Sequence, residues 1–351
     1  MTEPKPYTKF AQGIFIVKSK NSAFNSDFSG LPRRLPDENG TIYATDKALK
    51  YCIRKYLLDK GELVFVWRRY GESGDPISLE ENYKKFIELL KEKEEIDKNY
   101  KVDDKEKNSA IITNLLKAID IKLFGVTFAK KSKKKEEQRN LSITGPVQLS
   151  YGVNKLNENT FYNNDILSPY ITEEEKKQST IGNETKTLEA HYVYDFVINP
   201  NNLIDDLEFL DKEEREKLIL TEDDVDKFKE AICKGVNYVN STTKIGSEGE
   251  LLLFVELKTE EDKESKKLEG TFLPLLKDLV KIEEENNRTK IDLTEVFNVL
   301  NGYSDQVEKI EIYYNPSLSE ILGVPEDEGG LNIEKFDIIT LEKIDENQTS
   351  A

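Results

Sequence analysis

Histidine and cysteine are scarce in this chain, and their scarcity excludes several classes of enzyme. Among 351 residues there is one histidine, His191, and there are two cysteines, Cys52 and Cys233. A single histidine cannot form a multi-histidine zinc site or a paired-histidine nuclease centre, and it nearly rules out Cys-His and Ser-His catalysis. His191 begins the alternating segment 191–198 and falls on the face opposite its aromatic residues, so we assign it a structural role near a strand end. Both cysteines have apolar neighbours, which predicts small core residues in a reducing cytoplasm.

Long apolar runs and nucleotide-binding loops are also missing from the sequence. No apolar run approaches the roughly 20 residues of a membrane-spanning helix. The segment before Phe10 is polar and lacks the apolar block of a signal peptide. The sequence contains no Gly-x-Gly-x-x-Gly, Walker loop or EF-hand spacing. We therefore expect a cytoplasmic protein with no membrane partner, no cofactor and no bound metal.

Charge is distributed unevenly along the chain. The 51 lysine and arginine residues are outnumbered by 68 aspartate and glutamate residues, which gives a net charge of -17. Residues 1–70 nevertheless contain 13 basic and seven acidic residues, and residues 121–160 contain eight and three. An acidic surface with one basic groove would bind a single polyanion without adhering to others. This segregation predicts that the two basic segments form such a groove.

Three short motifs in the basic segments contain arginines, glycines and small polar side chains. They are Pro-Arg-Arg at 32–34, Asp-x-x-Leu-Phe-Gly at 120–125 and Thr-Gly-Pro-Val-Gln-x-Ser-x-Gly at 144–152. These residue types suit contacts to a sugar-phosphate backbone, and the motifs lack the set of general acid-base groups that bond cleavage usually needs. They predict a nucleic-acid scaffold protein.

The first predicted helix presents a row of cations. Thr45 can cap this helix, and its apolar residues form one stripe. Lys47, Lys50 and Arg54 lie on another face, where their charges repel one another unless an anion is present. We interpret this face as a phosphate contact; a solvated basic face is the alternative.

Periodicity predicts an α+β fold. Alternating or continuous apolar residues predict strands at 10–18, 63–67, 121–128, 143–151, 191–198, 251–257, 307–314 and 336–344. Helical spacing predicts further helices at 79–95, 104–119, 223–236 and 293–300. Imperfect alternation of strands and helices favours a ferredoxin-like sheet with helices on one face. Residues 157–186 have weak periodicity, and irregular stretches of this length are usually functional or disordered.

The order of the motifs resembles that of a known family. Asp120-x-x-Leu-Phe-Gly125 precedes Thr144-Gly-Pro-Val-Gln-x-Ser-x-Gly152, and both follow Pro32-Arg33 and Thr45-Asp46. This arrangement is similar to the backbone subunit of type I CRISPR Cascade surveillance complexes, and most similar to the type I-B branch. The resemblance extends over nearly the whole chain and includes the later segment Ser241-Thr-Thr-Lys244.

The resemblance implies one domain over residues 1–351, with a modified RNA-recognition-motif palm, a helical fingers insertion at 71–118 and a protruding thumb at 157–187. Several copies would form a helical filament along the spacer of one guide RNA (crRNA) and present its bases to target DNA, together with other Cascade subunits. The implied role is non-catalytic. The implied RNA-binding residues are Lys18, Lys20, Asn21, Arg33, Arg34, Lys47, Lys50, Arg54, Phe124, Gly125, Gln148, Ser150, Tyr151 and Lys244.

One loop departs from the family pattern and keeps an alternative open. Related chains have an Asn-Pro-Asn-Gly-Asp-like loop after the first strand, where this chain has Asn21-Ser-Ala-Phe-Asn25-Ser-Asp27. Related subunits of type III complexes cut RNA with an aspartate in this loop, and a carboxylate that positions a divalent metal is sufficient in principle. An acidic interaction protein without nucleic acid is the second alternative. For the preferred interpretation, we expect charge reversal at Lys50 and Arg54 to weaken RNA binding without unfolding the protein.

Overall fold

The alternating and helical segments of the sequence form strands and helices in a computed structural model. The structure describes residues 5–103, 106–130, 139–156, 159–171, 178–262, 267–285, 288–325 and 330–344. These residues contain sixteen strands and eight α-helices. The strands are β1 (Phe10–Ser22), β2 (Tyr43–Ala44), β3 (Gly125–Lys130), β4 (Arg139–Thr144), β5 (Val147–Leu149), β6 (Gly152–Asn154), β7 (Phe161–Ile171), β8 (Gln178–Ile198), β9 (Ser247–Leu257), β10 (Glu260–Glu261), β11 (Leu268–Glu269), β12 (Lys281–Glu285), β13 (Arg288–Asp292), β14 (Val307–Tyr314), β15 (Ser319–Leu322) and β16 (Ile333–Asp337). The helices are α1 (Asp46–Asp59), α2 (Leu79–Glu92), α3 (Asn108–Leu115), α4 (Ile119–Phe124), α5 (Asn201–Asp206), α6 (Lys212–Glu216), α7 (Glu222–Tyr238) and α8 (Thr294–Gly302).

A large sheet organises these elements. Within the described ranges it has nine strands, in the order β16-β14-β9-β1-β8-β6-β2, with β5 and β7 also paired to β8. β1 is antiparallel to both of its neighbours, β8 and β9. α7 connects β8 to β9 across β1, and α1 follows β1 before the chain reaches β6 on the far side of β8. The α+β prediction is therefore confirmed.

Alternation along the strands divides the apolar side chains between the two faces of this sheet. On one face, Tyr192, Tyr194 and Phe196 of β8 pack in the same buried cluster as the apolar stripes of α1 and α7. On the other face, Ile14 of β1 packs in a cluster with Phe297 of α8. Full burial of a side chain of this size stabilises the fold by about 1.5–3 kcal/mol. The prediction of helices on one face only is wrong, because α8 covers the second face.

The segments 63–67 and 121–128 differ from the strands that their apolar residues predict. Residues 63–67 join no ladder, because the N–H groups of Phe65 and Val66 donate to a buried carboxylate instead. In 121–128, the first residues belong to α4, and β3 begins only at Gly125. A short apolar run indicates burial and does not by itself distinguish a strand from a helix or loop.

Three further predicted elements have different bounds. The predicted strand 143–151 is divided at Gly145-Pro146, between β4 and β5, since proline has no N–H to donate to a ladder. The predicted strand 336–344 is replaced by the earlier β16. The predicted helix 104–119 shortens to α3, and residues 104–105 lie outside the described residues.

The segment 157–187 contains a long β-hairpin where weak periodicity predicts an irregular stretch. β7 pairs antiparallel with the first half of β8, and β8 then continues into the large sheet. His191 consequently lies inside a strand and not near its end as predicted. Its predicted placement opposite the aromatic face is confirmed, because alternation groups it with Val193 and not with Tyr192. Residues 157–158 and 172–177 lie outside the described residues.

Two glycines allow the start of β3 to touch the turn between β4 and β5. Gly125 has a φ of 71° and a ψ of -176°, a conformation that is essentially restricted to glycine. A β-carbon on Gly125 would lie 2.0 Å from the carbonyl oxygen of Ile143. A β-carbon on Gly145 would lie 2.3 Å from the nitrogen of Gly125. The two backbones can therefore approach only because neither residue has a side chain.

Gly125→Ala is expected to destabilise the protein by about 3 kcal/mol or more, because backbone strain and steric overlap add. Gly30→Ala is the matched control, since Gly30 has a φ of 82° but no atom within 4 Å of an added β-carbon. It is expected to cost only about 1 kcal/mol of strain. Urea unfolding of both variants measures the difference, and equal midpoints would contradict the close contact.

Candidate nucleic-acid interface

Asp120, the first residue of the Asp-x-x-Leu-Phe-Gly motif, is a fully buried anchor. Its carboxylate accepts hydrogen bonds from the backbone N–H groups of Phe65 at 2.8 Å and Val66 at 3.0 Å. It also accepts a hydrogen bond from Nε of Arg54, at 2.9 Å. Charge-assisted hydrogen bonds of this kind offset the cost of burying a carboxylate. The motif therefore fixes α1 against the loop 63–67 and α4.

Two predicted cations meet at the ring of Phe124. The Lys50 ammonium lies 5.2 Å from the ring centroid, and the Arg54 guanidinium lies 5.3 Å from it. Gly145 packs against the backbone at the end of α4, and its carbonyl accepts a hydrogen bond from Nε2 of Gln148 at 2.7 Å. The structure thus brings together five of the predicted residues, which are Lys50, Arg54, Phe124, Gly125 and Gln148.

Lys50 has less negative charge around it than its burial requires. Its side chain is 12% exposed, and its carboxylate partner is Asp46 at 3.3 Å. Burial lowers the pKa of Lys50, the attraction of Asp46 opposes this only in part, and the charges of Arg54 and Lys47 lower the pKa further. An anion beside Lys50 would stabilise its charged form.

Arg33 belongs to a second group, at the edge strands directly before α1. Its carbonyl accepts a hydrogen bond from the N–H of Tyr43 at 3.0 Å. The Tyr43 ring stacks on Tyr151, with 5.3 Å between the centroids. Nε of Arg33 is buried and has no acceptor among the described residues. A buried donor of this kind is satisfied only by a further group, such as a water or a phosphate oxygen.

Arg34 connects this second group to the β7–β8 hairpin. Its guanidinium donates to the carbonyls of Gly40 at 2.7 Å and Asn159 at 3.0 Å. It also lies 4.8 Å from the ring centroid of Phe161. These partners are all uncharged, so they orient the guanidinium without neutralising it.

The loop after β1 is held against the start of α1. Oδ1 of Asn25 accepts hydrogen bonds from the N–H and the hydroxyl of Thr45, the residue before the helix. The half-buried Lys244 ammonium donates to the carbonyl of Phe24 and lies 4.5 Å from its ring centroid. Burial lowers the pKa of Lys244, because both of these contacts are uncharged. Lys244 therefore resembles Lys50 in favouring a nearby anion.

Three further predicted residues have more exposed side chains. Lys20 pairs with Glu189 at 2.9 Å, and Glu189 also lies beside Lys18, away from the groups described above. Asn21, which has a φ of 49°, accepts a hydrogen bond from the Tyr162 hydroxyl at 3.2 Å. Lys47 on the first turn of α1 is 82% exposed. Their exposure leaves them accessible to a ligand that follows the surface.

Lys18 and Ser150 are not brought together with the other predicted residues. The Lys18 ammonium lies 2.5 Å from Oε1 of Glu284, on the face of the large sheet that α8 covers. The Ser150 hydroxyl accepts hydrogen bonds from the N–H of Asp195 at 2.9 Å and from the Lys277 ammonium at 3.2 Å. Both side chains are engaged within the protein, and their contact with RNA stays a prediction.

Three aromatic residues near these cations, Tyr43, Tyr51 and Trp67, are missing from the residues that the sequence predicts. Tyr51 on α1 is 45% exposed and stacks on Trp67, with 5.1 Å between the ring centroids. Tyr43, described above, forms a second stack. Exposed aromatic faces are typical platforms for nucleic-acid bases. Trp67 is the sole tryptophan of the chain and precedes two arginines, a signal that would have identified it.

Comparison with known proteins identifies the family. The family model of CRISPR-associated protein Cas7 matches residues 9–299. The chain therefore belongs to the CRISPR-associated protein Cas7 family, which confirms the predicted resemblance at this level. The comparison with curated proteins found no match. No α-helix in the described ranges is long and apolar enough to cross a lipid bilayer.

Two solved structures are similar to this chain. One is described as "CRISPR RNA-guided surveillance complex, pre-nicking"; it is 11% identical with a TM-score of 0.45, and the match covers 93% of this chain and 96% of that one. The other is described as "CRISPR RNA-guided surveillance complex"; it is 11% identical with a TM-score of 0.42, and the match covers 96% of this chain and 94% of that one.

The ion pair of Arg54 and Asp120 changes the expected effect of charge reversal. A glutamate in place of Arg54 would set a second carboxylate beside one that is already buried. We therefore revise the expectation that the fold tolerates this reversal.

Arg54→Glu is expected to lower the free energy of unfolding by about 3–5 kcal/mol, because it leaves the Asp120 carboxylate buried without its partner. Lys47→Glu, a reversal at an exposed position of the same helix, is expected to leave stability close to that of the wild type. Chemical denaturation of the two variants compares them. Equal stability would show that the pair does not constrain the fold.

Proposed function

We propose that this chain is the guide-RNA-binding backbone subunit of a type I CRISPR surveillance complex (Cascade), of the type I-B branch. Several copies line up as a helical filament along the spacer of one crRNA and, with the other Cascade subunits, present its bases to target DNA. The observation that carries this proposal is the group of half-buried cations around the start of α1, Arg33, Lys50 and Lys244, whose protein contacts do not complete their interactions. Membership of the Cas7 family supports the same function.

A phosphate chain supplies what these cations lack. Its negative charges are spaced along a strand, and each phosphate that meets a cation releases condensed counterions. The remainder of the chain is acidic, since the net charge is -17, and it repels nucleic acid from other surfaces. In this function the protein contacts backbone and shape, and base pairing reads the sequence.

The central sheet is, in this proposal, a modified RNA-recognition-motif palm. The strand order β9-β1-β8-β6 supports it, with α7 and α1 each crossing between strands that are separated by one neighbour. This connectivity is that of two interleaved β-α-β units, as in ferredoxin-like folds.

The two insertions are assigned to fingers at 71–118 and a thumb at 157–187. The first segment contains α2 and α3, which supports helical fingers. The second contains most of the β7–β8 hairpin, which supports a protruding thumb. Within the described residues, β7 exposes four apolar side chains, Ile166, Leu167, Tyr170 and Ile171. Exposed apolar groups of this number favour contact with RNA or with a neighbouring copy.

RNA binding is expected to weaken with salt, with a slope of log affinity against log salt of about -0.7 for each phosphate neutralised. Lys47→Ala should weaken binding to all RNA sequences alike and should reduce this slope by about 0.7, because it removes one exposed cation from the proposed surface. Fluorescence anisotropy with single-stranded RNA, between about 50 and 200 mM salt, measures both effects.

Lys217→Ala is the matched control for this measurement. Lys217 is also exposed, and like Lys47 it is close to one acidic residue of its own helix. An equal loss from both variants, or none from Lys47→Ala, would contradict the assignment of the surface. Absence of RNA from protein purified beside a CRISPR array would favour the acidic interaction protein.

We propose further that the subunit is not an enzyme. The alternative of a type III-like RNA-cleaving subunit depends on Asp27. Its carboxylate accepts hydrogen bonds from the N–H groups of Ser29 at 2.8 Å and Leu31 at 3.0 Å. These contacts close a turn in the loop after β1, which supports a structural role for Asp27.

The guide-loaded complex is expected to leave a guide-complementary RNA uncut in the presence of Mg²⁺, both in the wild type and in Asp27→Ala. The reason is that the Asp27 carboxylate stabilises the turn and has no catalytic role. Gel electrophoresis of the labelled RNA is the measurement. Asp37→Ala is the control, since Asp37 accepts a similar bond from the N–H of Thr41 at 2.8 Å. Cleavage by the wild type that is lost in Asp27→Ala and kept in Asp37→Ala would establish the enzyme instead.

A further inference from the structure

His191, Glu189 and Glu284 form a polar cluster on the face of the large sheet opposite α1 and α7. Nε2 of His191 lies 3.8 Å from Oε1 of Glu189 and 3.6 Å from Oε1 of Glu284. These three atoms lie within 4.8 Å of one another. His191 is 0% exposed, and neither its Nε2 nor Oε1 of Glu189 has a hydrogen-bond partner among the described residues. Buried polar atoms without a hydrogen bond are costly, so Nε2 of His191 and Oε1 of Glu189 each favour a further partner.

The other nitrogen of the His191 ring is fixed by Glu250. Nδ1 lies 2.6 Å from Oε2 of Glu250, and both side chains are buried. Glu250 is the extra residue of a β-bulge in β9, because Ile16 and Val17 of β1 pair with the residues on either side of it. A bulge redirects a side chain. A carboxylate on Nδ1 favours the tautomer in which Nε2 offers its lone pair, the arrangement typical of metal-binding histidines.

We propose that Nε2 of His191, Oε1 of Glu189 and Oε1 of Glu284 bind one divalent metal ion of the zinc type. Tetrahedral coordination with bonds of about 2.0–2.2 Å places ligand atoms about 3.3–3.6 Å apart. The distances of 3.6 and 3.8 Å from Nε2 need to shorten by only a few tenths of an ångström to reach this range. The carboxylate side chains are 13% and 19% exposed, so water can reach a fourth position.

The charge of the cluster suits a cation. The carboxylates of Glu250, Glu189 and Glu284 all lie within 3.8 Å of the ring nitrogens of His191. The environment thus favours positive charge strongly at this position. A divalent ion bound to neutral imidazole supplies this positive charge, and it also gives Nε2 of His191 and Oε1 of Glu189 a bonding partner.

Lys18 competes with the metal for the two carboxylates. Its ammonium lies 2.5 Å from Oε1 of Glu284 and 3.6 Å from Oε1 of Glu189. A divalent ion would repel this ammonium, and Glu248, the cross-strand neighbour of Lys18 on β9, offers an alternative partner. Lys18 therefore controls the affinity of the site.

Metal binding would link two parts of the fold. Glu189 and His191 belong to β8, whereas Glu284 belongs to β12, in the smaller sheet of β12, β13 and β15. The ion would fix this smaller sheet to the large one. This role does not depend on RNA binding, because the cluster lies on the face of the large sheet opposite α1.

The test is titration of the full chain, freed of metal with a chelator, with Co²⁺ and then Zn²⁺. We expect each chain to bind one ion and Co²⁺ to give the absorption bands of a four-coordinate site. Adding Zn²⁺ should remove these bands, and metal binding should raise the Tm. Lys18→Met should tighten binding about tenfold or more, because it removes a competing charge. Glu250→Gln should weaken binding about 10–100-fold, because it loosens the imidazole.

Glu284→Gln and Glu311→Gln separate a site from non-specific binding to acidic residues. Glu284→Gln removes a ligand and should abolish saturable binding, whereas Glu311 is a buried carboxylate paired with Lys229 and Lys309 elsewhere in the fold, so its substitution should have no effect. Circular dichroism checks folding, and the Lys18→Met and Glu250→Gln results decide the question if Glu284→Gln does not fold. No saturable binding by the wild type and Lys18→Met, or equal binding by all variants, would overturn the site.

Discussion

The carboxylate of Asp120 is the constraint on which the candidate interface depends. It is fully buried, and it accepts hydrogen bonds from Arg54 on α1 and from the loop that precedes α2. Because Arg54 is fixed to it, the guanidinium lies over the ring of Phe124, where Lys50 also lies. The close backbone contact between Gly125 and Gly145 then positions Gln148 at the same place. One buried charge thus orders segments that are far apart in the chain.

The cations of this protein fall into two kinds according to their partners. One kind forms ion pairs with carboxylates within the protein, as Lys229, Lys309 and Lys18 do. Lys244 and Arg34 contact carbonyl groups and aromatic rings, which orient a charge without neutralising it. Lys50 lies between the two kinds, because its carboxylate partner Asp46 only partly opposes the effect of burial on its pKa. A chain with a strongly acidic composition can bind a polyanion only where its positive charges are not fully neutralised. Incomplete neutralisation therefore marks the interface better than the density of lysine and arginine does.

Sequence reasoning succeeded where the signal was local. The stripe of α1, the alternation of β14 and the order of the short motifs predicted the α+β class and the family. Sequence reasoning failed where a buried apolar run is held by a residue far away in the chain. At Phe65, for example, the N–H group donates to the Asp120 carboxylate and not to a neighbouring strand. This reasoning also failed for the β7–β8 hairpin, whose side chains are largely exposed on β7 and so show little alternation.

The amino-acid sequence by itself determined the class of protein, because scarce histidine, segregated charge and the spacing of motifs are properties of composition and local order. Only the tertiary structure decided the role of each charged residue. Lys18 and Lys50 look alike in the sequence, yet one lies among carboxylates and the other above an aromatic ring. The bulge that turns Glu250 towards His191 is equally invisible in the sequence. Electrostatic partners come from segments that fold next to each other, and their distances in space set the balance between burial and charge.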